Sequence, residues 1–219
     1  MTVEAQLRQG LDALALDLPE GAEGRLLAYL RLLAKWNRTY NLTAIRNEAE
    51  MVTHHLLDAL TLVSHLTGIA TLADVGSGAG LPGIPVAIAC PDVQVTSIET
   101  VEKKAAFQQQ ARIELGLGNF AVLGARVEKV QGQFDAVTSR AFAELADFVK
   151  WSGHLVRPGG RMLAMKGVYP AEEIARLPTG WGLAASRELR VPGLDAQRHL
   201  IVLQRISETS GASVCTSSP

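Results

Sequence analysis

The apolar positions of this chain change their period part-way along it. From Val3 to about Leu66 they recur at helical spacing, and Leu26, Leu27, Leu30 and Leu33 lead to Trp36 as one wide stripe. A further helix is predicted from about Ala49 to Leu66. Beyond it, short β-branched runs alternate with helical stretches. Thr71-Leu72-Ala73 reads as the end of a strand, Ile84 to Cys90 as a helix, and Val93 to Ile98 as the next strand. A helix from Val101 to Leu115 follows, then strand Phe120 to Leu123, a short segment from Arg126 to Val130, strand Phe134 to Thr138, and a helix from about Glu144 to Leu155. The turn Arg157-Pro158-Gly159-Gly160 introduces strand Arg161 to Met165. Such alternation predicts an α/β fold, a mainly parallel sheet covered by helices on both faces. The final pair, Gly182 to Val191 and His199 to Arg205, joined through Pro192-Gly193, reads as a hairpin-like antiparallel edge. The chain then divides into an N-terminal helical extension (1–66), an α/β domain (67–206) and a Ser/Thr-rich tail (207–219) expected to be disordered.

Composition narrows the class. The 219 residues suffice for one sizeable core, and 47% apolar with 20% charged residues describes an ordinary soluble protein. No apolar run approaches the roughly 20 residues that span a bilayer, and the start of the chain lacks a basic region followed by an apolar one, so a cytoplasmic location is expected. Cys90 and Cys215 lie far apart, which leaves neither a disulfide framework nor a zinc site and predicts two free thiols. The net charge of −1 argues against a strongly basic nucleic-acid binder but does not exclude one. Arg25, Arg31, Lys35 and Arg38 recur along one helix, and Arg187, Arg190, Arg198 and Arg205 gather near the end of the domain. On charge alone a solvated face is the favoured reading of both groups.

The chemistry concentrates after the first strand. In Asp74-Val75-Gly76-Ser77-Gly78-Ala79-Gly80-Leu81-Pro82-Gly83 an acid and three alternate glycines follow an apolar run. Glycines there allow positive φ and let backbone N–H groups approach a ligand. The second strand ends on Glu99, and a carboxylate at that place suits the two hydroxyls of a ribose. Gly78-Ala79-Gly80-Leu81-Pro82-Gly83 formally matches the dinucleotide fingerprint. It starts too late after the strand, however, and puts Pro82 and Pro85 where helix N–H groups should meet a pyrophosphate. The frame Asp74-x-Gly76-x-Gly78-x-Gly80 instead sets a carboxylate near a cationic ligand, and S-adenosylmethionine is cationic.

Ligands of such sheets bind beyond the carboxyl ends of the strands. The candidates there are Asp74, Glu99, Gly124 to Arg126, Ser139-Arg140 and Lys166-Gly167. Arg140 and Lys166 are expected to converge on the crevice, and two cations beside a cationic ligand suggest an anionic second substrate such as a phosphate backbone. Surface charges that merely end a strand are the alternative. Trp36-Asn37-Arg38-Thr39-Tyr40-Asn41-Leu42-Thr43 is dense in stacking and hydrogen-bonding side chains. It reads either as a ligand or partner surface, or as a helix end closed by Asn37 with Thr43 as the next N-cap.

Taken together, these residues resemble the bacterial ribosomal small-subunit methyltransferase G family, also called glucose-inhibited division protein B. The resemblance covers roughly Leu26 to Ile206 and rests on Trp36-Asn37, Tyr40 to Thr43, His55-Leu56-Leu57-Asp58, Asp74 to Pro85, Arg126-Val127-Glu128, Ser139 to Phe142, Lys166-Gly167 and Arg198-His199-Leu200. It implies a class I S-adenosylmethionine-dependent methyltransferase, Rossmann-like with a seven-stranded sheet, that methylates N7 of one guanine in 16S ribosomal RNA. It further implies that Asp74, Gly76, Ser77, Gly78, Gly80 and Leu81 hold the cofactor with Glu99 on the ribose hydroxyls. Ala125 and Arg126 would flank the adenine, and Arg140 and Lys166 would lie at the methyl-transfer site, where Arg140 would also touch the cofactor. An RNA face is expected from Arg38, Tyr40, Asn41, Lys166, Arg198 and His199, on a monomer acting on the small subunit or an assembly intermediate. Two positions depart from the family: Glu99 stands where Asp is more usual, and Ala59 where Ser is.

Guanine N7 carries a lone pair and no proton, so its attack on a methyl group needs no general base. None is nominated, and His54 and His55 are expected to serve packing or hydrogen bonding rather than a metal. Alternatives remain: a methyltransferase acting on a small molecule or another RNA atom, a nicotinamide-dependent reductase, and a non-catalytic nucleotide-sensing or ribosome-binding module.

Overall fold

Seven strands form one sheet in the order β3-β2-β1-β4-β5-β7-β6. They are β1 (Thr71–Val75), β2 (Gln94–Ile98), β3 (Phe120–Leu123), β4 (Phe134–Arg140), β5 (Val156–Lys166), β6 (Trp181–Glu188) and β7 (His199–Arg205) in a computed structural model that describes residues 1–140, 142 and 144–206. β1 to β5 run parallel. β7 enters antiparallel between β5 and β6, which produces the expected antiparallel edge. The tail 207–219, with Cys215, lies outside the described residues.

The helices are α1 (Val3–Ala13), α2 (Ala22–Tyr40), α3 (Glu48–Met51), α4 (Asp58–Leu60), α5 (Gly83–Ala89), α6 (Glu102–Glu114), α7 (Leu145–Ser152) and α8 (Ala171–Ala175). The leucine stripe of α2 is buried, and one apolar cluster runs without a break from Leu7, Leu26, Leu30 and Leu33 through Leu60 and Ile84 to Leu72 and Phe107. A second cluster, around Val137, Phe148, Leu155, Met162 and Ile201, holds α7 on the other face. The N-terminal helices and the sheet therefore share apolar surface removed from water.

Three local expectations need correction. Residues 157–160 are not a turn ahead of a strand but a bulge inside β5: Phe134 pairs with Val156 and Ala136 with Arg161. Pro and Gly compose bulges as readily as turns, and Gly160 fits because a Cβ there would lie 2.8 Å from the Asp135 carbonyl oxygen. Asn37 does not close α2. It is buried within the helix, donating to the Ile45 carbonyl and accepting from the Thr43 amide, and the helix ends at Asn41 with φ of 51°. Thr43 is not an N-cap, since Asn47 caps α3 through the amides of Ala49 and Glu50. The expected helix beginning near Ala49 also contains a π-helical turn over Val52–Leu57.

Asp135 ties the bulge to the start of the central strand. Its Oδ2 accepts from the amides of Ala70 (2.7 Å) and Thr71 (2.9 Å), and its Oδ1 meets Arg157 Nε at 2.6 Å. Hydrogen bonds to a charged acceptor contribute about 1.5–3 kcal/mol each. Asp135→Ala is expected to lower the unfolding free energy by about 2–4 kcal/mol in urea denaturation, given partial rehydration of the freed amides.

Candidate active site

The carboxyl ends of β1, β2, β4 and β5 share one sheet edge because these strands are parallel, and the polar side chains collect there. The loop after β1 turns through Gly76, Gly78 and Gly80 at φ of 67°, 60° and 81°. A Cβ built on Gly76 or Gly78 would meet no protein atom within 4 Å, so the cradle above them is open. At Gly80 the reason differs: a Cβ would strike Ile84 at 2.4 Å.

The loop is held from below. Asp74 is fully buried, and its Oδ2 accepts from the Gly83 amide at 2.8 Å, while Oδ1 is buried with no partner. Ser77, Ser97 and Gln108 close a ring of hydrogen bonds, and Gln108 Nε2 also donates to the Gly78 carbonyl at 2.8 Å. Tyr29, from α2, donates its hydroxyl to the Ala79 carbonyl at 2.7 Å. Glu99 accepts from Gly78 N through Oε2 and from Val101 N through Oε1, both at 2.8 Å. The side chains of Ser77 and Leu81 are buried, so these two can meet a ligand through their backbone only.

Two clefts flank this loop and Arg140. One, of about 390 Å³, is lined by Gly76, Thr100, Ala125, Arg126, Phe142 and Trp151 among others. The other, also about 390 Å³, is lined by Ile45, His54, Asp58, Arg140, Met165, Lys166, Gly167 and Arg198. Arg140 NH1 donates to the His54 carbonyl (2.8 Å) and to Asp58 Oδ2 (3.0 Å), and Arg198 Nε donates to Asp58 Oδ1 (3.0 Å). Lys166 Nζ pairs with Glu173 at 2.7 Å and donates to the Phe142 carbonyl at 3.2 Å. His199 sits beside this cleft, its Nδ1 2.8 Å from the Gly167 carbonyl.

Most of the sequence candidates thus fall into two groups. Asp74, Gly76, Ser77, Gly78, Gly80, Leu81, Glu99, Ala125 and Arg126 belong to the loop and the first cleft, and Arg140, Lys166, Arg198 and His199 to the second. Arg38, Tyr40 and Asn41 line neither. Arg38 and Tyr40 are exposed at the end of α2, Tyr40 rests on Trp36 with ring centroids 5.1 Å apart, and Asn41 accepts from Arg46 at 2.6 Å. Tyr29, Asp58, Gln108 and Glu173 are further site residues that the sequence candidates lack: the first three act through partners at least 30 residues away, and Glu173 pairs with Lys166 across a loop with no regular spacing. Asp58 alone stood in a recognisable motif.

Burial sets the charge states. It pushes the Asp74 carboxyl up to about 7, against the Gly83 hydrogen bond and the Arg140 charge, with Glu99 adding to the rise. Burial, then Arg140, pulls His55 down to about 4, so its ring is neutral, with Thr43 Oγ1 2.8 Å from Nε2 and Nδ1 without a partner.

A family model for rRNA small subunit methyltransferase G (GidB) matches residues 23–201. The chain belongs to this family. It is 61% identical over 207 residues to ribosomal RNA small subunit methyltransferase G of Aromatoleum aromaticum, covering 92% of this chain and 98% of the relative. The corresponding protein of Neisseria meningitidis FAM18 is 56% identical over 206 residues, covering 94% and 100%. Among solved structures, the O-methyltransferase TomG from Streptomyces achromogenes, in complex with S-adenosylmethionine, superposes with a TM-score of 0.57 at 16% identity, covering 94% of this chain and 100% of that one. That likeness shows the fold: this methyltransferase G family member has the class I S-adenosylmethionine-dependent methyltransferase fold, with helices preceding the sheet. No helix among the described residues is long and apolar enough to cross a membrane.

Folded Asp74 holds its proton up to about pH 7, whereas the unfolded carboxyl releases it near 3.8. The folded state therefore binds more protons between these values, and this group's contribution to stability falls as pH rises through that window. Asp74→Asn keeps an acceptor for Gly83 and removes the titration. Its stability relative to the wild type is expected to rise from pH 4 to pH 7 and level off above, as checked by urea denaturation across that range.

Proposed function

We propose that this protein transfers a methyl group from S-adenosylmethionine to N7 of a guanine in 16S ribosomal RNA. The observation that carries the reading is the juxtaposition of an open glycine cradle over a buried acid with a second cleft that holds Arg140, Lys166 and Arg198. The residues fit the cofactor. The unpartnered Asp74 Oδ1 lies under the cradle, where a nearby cation would favour its ionised form. Each Glu99 oxygen keeps a lone pair beyond the amide it accepts, enough for two ribose hydroxyls. Ala125 and Arg126 border a cleft with apolar walls suited to an adenine. The names of the relatives supply the RNA of the small subunit as the substrate class.

When bound, S-adenosylmethionine supplies an electrophilic methyl group on a sulfonium. The protein's part is placement. N7 needs no deprotonation, so Arg140 and Lys166 serve to hold an anionic RNA segment and the target base against the cradle, and no side chain has to move a proton for the transfer to begin. Holding reactants in line in this way accounts for roughly 7–11 kcal/mol of barrier in favourable cases. N7 faces the deep, narrow groove of paired RNA, so the target guanine is one that a loop displays or that leaves its stack. Arg38 and Tyr40 extend the RNA face along the end of α2, and the enzyme acts as a monomer in the cytoplasm.

The test is tritiated methyl transfer to naked 16S RNA, small subunits and whole ribosomes, followed by nuclease digestion. N7-methylguanine at one site is the expected product. Label on another atom, or cofactor binding with no labelled RNA, overturns the reading in favour of a different acceptor or a non-catalytic module. Glu99→Ala is expected to weaken S-adenosylmethionine binding about tenfold or more in calorimetry, since hydrogen bonds to a charged group contribute about 1.5–3 kcal/mol.

A further inference from the structure

Asp58 is buried, with its side chain only 3% exposed, yet it borders the basic cleft and both its oxygens are taken by arginines. Those arginines come from distant places: Arg140 ends β4, and Arg198 immediately precedes β7. The helix before Asp58 explains how it reaches them. In the π-helical turn the Asp58 amide bonds to the carbonyls of Thr53 and His55 rather than that of His54. The His54 carbonyl is thereby released from its helical partner and accepts from Arg140 NH1. One turn of irregular helix so presents two acceptors, a carbonyl and a carboxylate, to the same guanidinium.

We propose that Asp58 is a positioning residue that clamps Arg140 and Arg198 into one receptor for an RNA phosphate. The proposal rests on RNA being the substrate. Two guanidinium groups drawn to one cleft repel each other, and a carboxylate between them cancels part of that repulsion while fixing each at one edge. A guanidinium has five N–H donors, so the bonds to Asp58 and His54 leave others for a ligand, and both arginine side chains stay about a quarter exposed, at 22% and 25%. Asp58 itself is too buried to touch RNA and acts only through the two arginines. A role limited to fastening the N-terminal helices to the sheet would use the same ion pairs, but it would not require them to border a cleft beside Lys166.

The experiment compares the full-length wild type with Asp58→Asn and Asp58→Glu on the 16S RNA preparation that the wild type methylates best. The readouts are RNA KM and kcat, the salt dependence of RNA binding, S-adenosylmethionine affinity and Tm. Asp58→Asn would accept from one arginine and turn an amide N–H toward the other. It is expected to raise KM for RNA at least tenfold and to flatten the log–log salt slope by about 1–2, as loss of one or two phosphate contacts requires. Cofactor affinity should stay within about threefold, because the glycine cradle lies in the other cleft. Asp58→Glu keeps the charge and should fall between, with KM raised about threefold. A folded Asp58→Asn protein with unchanged KM and salt slope overturns the clamp, whatever its Tm. Should that variant not fold, Asp58→Glu decides, and an unchanged KM there overturns the proposal equally. Wild-type protein that labels no RNA refutes the functional reading itself. Wild-type labelling matched by Asp58→Asn refutes the clamp alone.

Discussion

The Gly83 amide accepted by the buried carboxylate of Asp74 is the contact on which the candidate site depends. Asp74 is the last residue but one of β1, and the chain must reverse above it within a few residues to begin α5. Gly83 can come within 2.8 Å of the carboxylate only because it lacks a side chain, for a Cβ there would lie 2.7 Å from Oδ2. The carboxylate therefore sets the height of the loop over the sheet. Burying it is costly, and the rise of its pKa toward neutrality expresses that cost in protonation. Under the proposed reading a cationic cofactor above the loop would draw this carboxyl back toward its ionised form.

Arg140 connects this constraint to the rest of the protein. Its charge favours the ionised form of Asp74 and the neutral form of His55, while its guanidinium is fastened to the helical segment at His54 and Asp58. Tyr29 makes a second such connection, from α2 to the glycine loop at Ala79. The N-terminal helices accordingly hold both walls of the site, and the continuous apolar cluster beneath them makes that hold rigid. Asn37, Thr43 and His55 belong to the same support: Asn37 and Thr43 join the end of α2 to the segment after it, and Thr43 meets His55. That web explains why a connector so dense in polar side chains is needed even away from either cleft.

Local patterns made much of this legible from residues alone. Short apolar, β-branched runs set between helical periods place all seven strands, because the central parallel strands are buried on both faces and so read as continuous apolar runs. The glycine loop is legible because positive φ is written in glycine, and Arg140 and Lys166 because parallel strands must deliver their ends to one edge. The bulge at 157–160 and the end of α2 are not legible in the residues because composition there is ambiguous: Pro-Gly-Gly serves a bulge or a turn, and a buried Asn serves a helix interior once carbonyls and amides from beyond the helix satisfy it.

The α/β order, the acid-and-glycine loop and the edge on which chemistry collects can be read from the residues alone, since each follows from contacts among near neighbours in the chain or from strand direction. It takes the folded chain to show that Gln108 and Tyr29 brace the loop, that Glu99 accepts two backbone amides, and that Asp58 joins Arg140 to Arg198 across 82 and 140 residues. Those pairings leave no periodic trace, because a buried polar group is satisfied by whichever partner the folded chain brings within hydrogen-bonding distance.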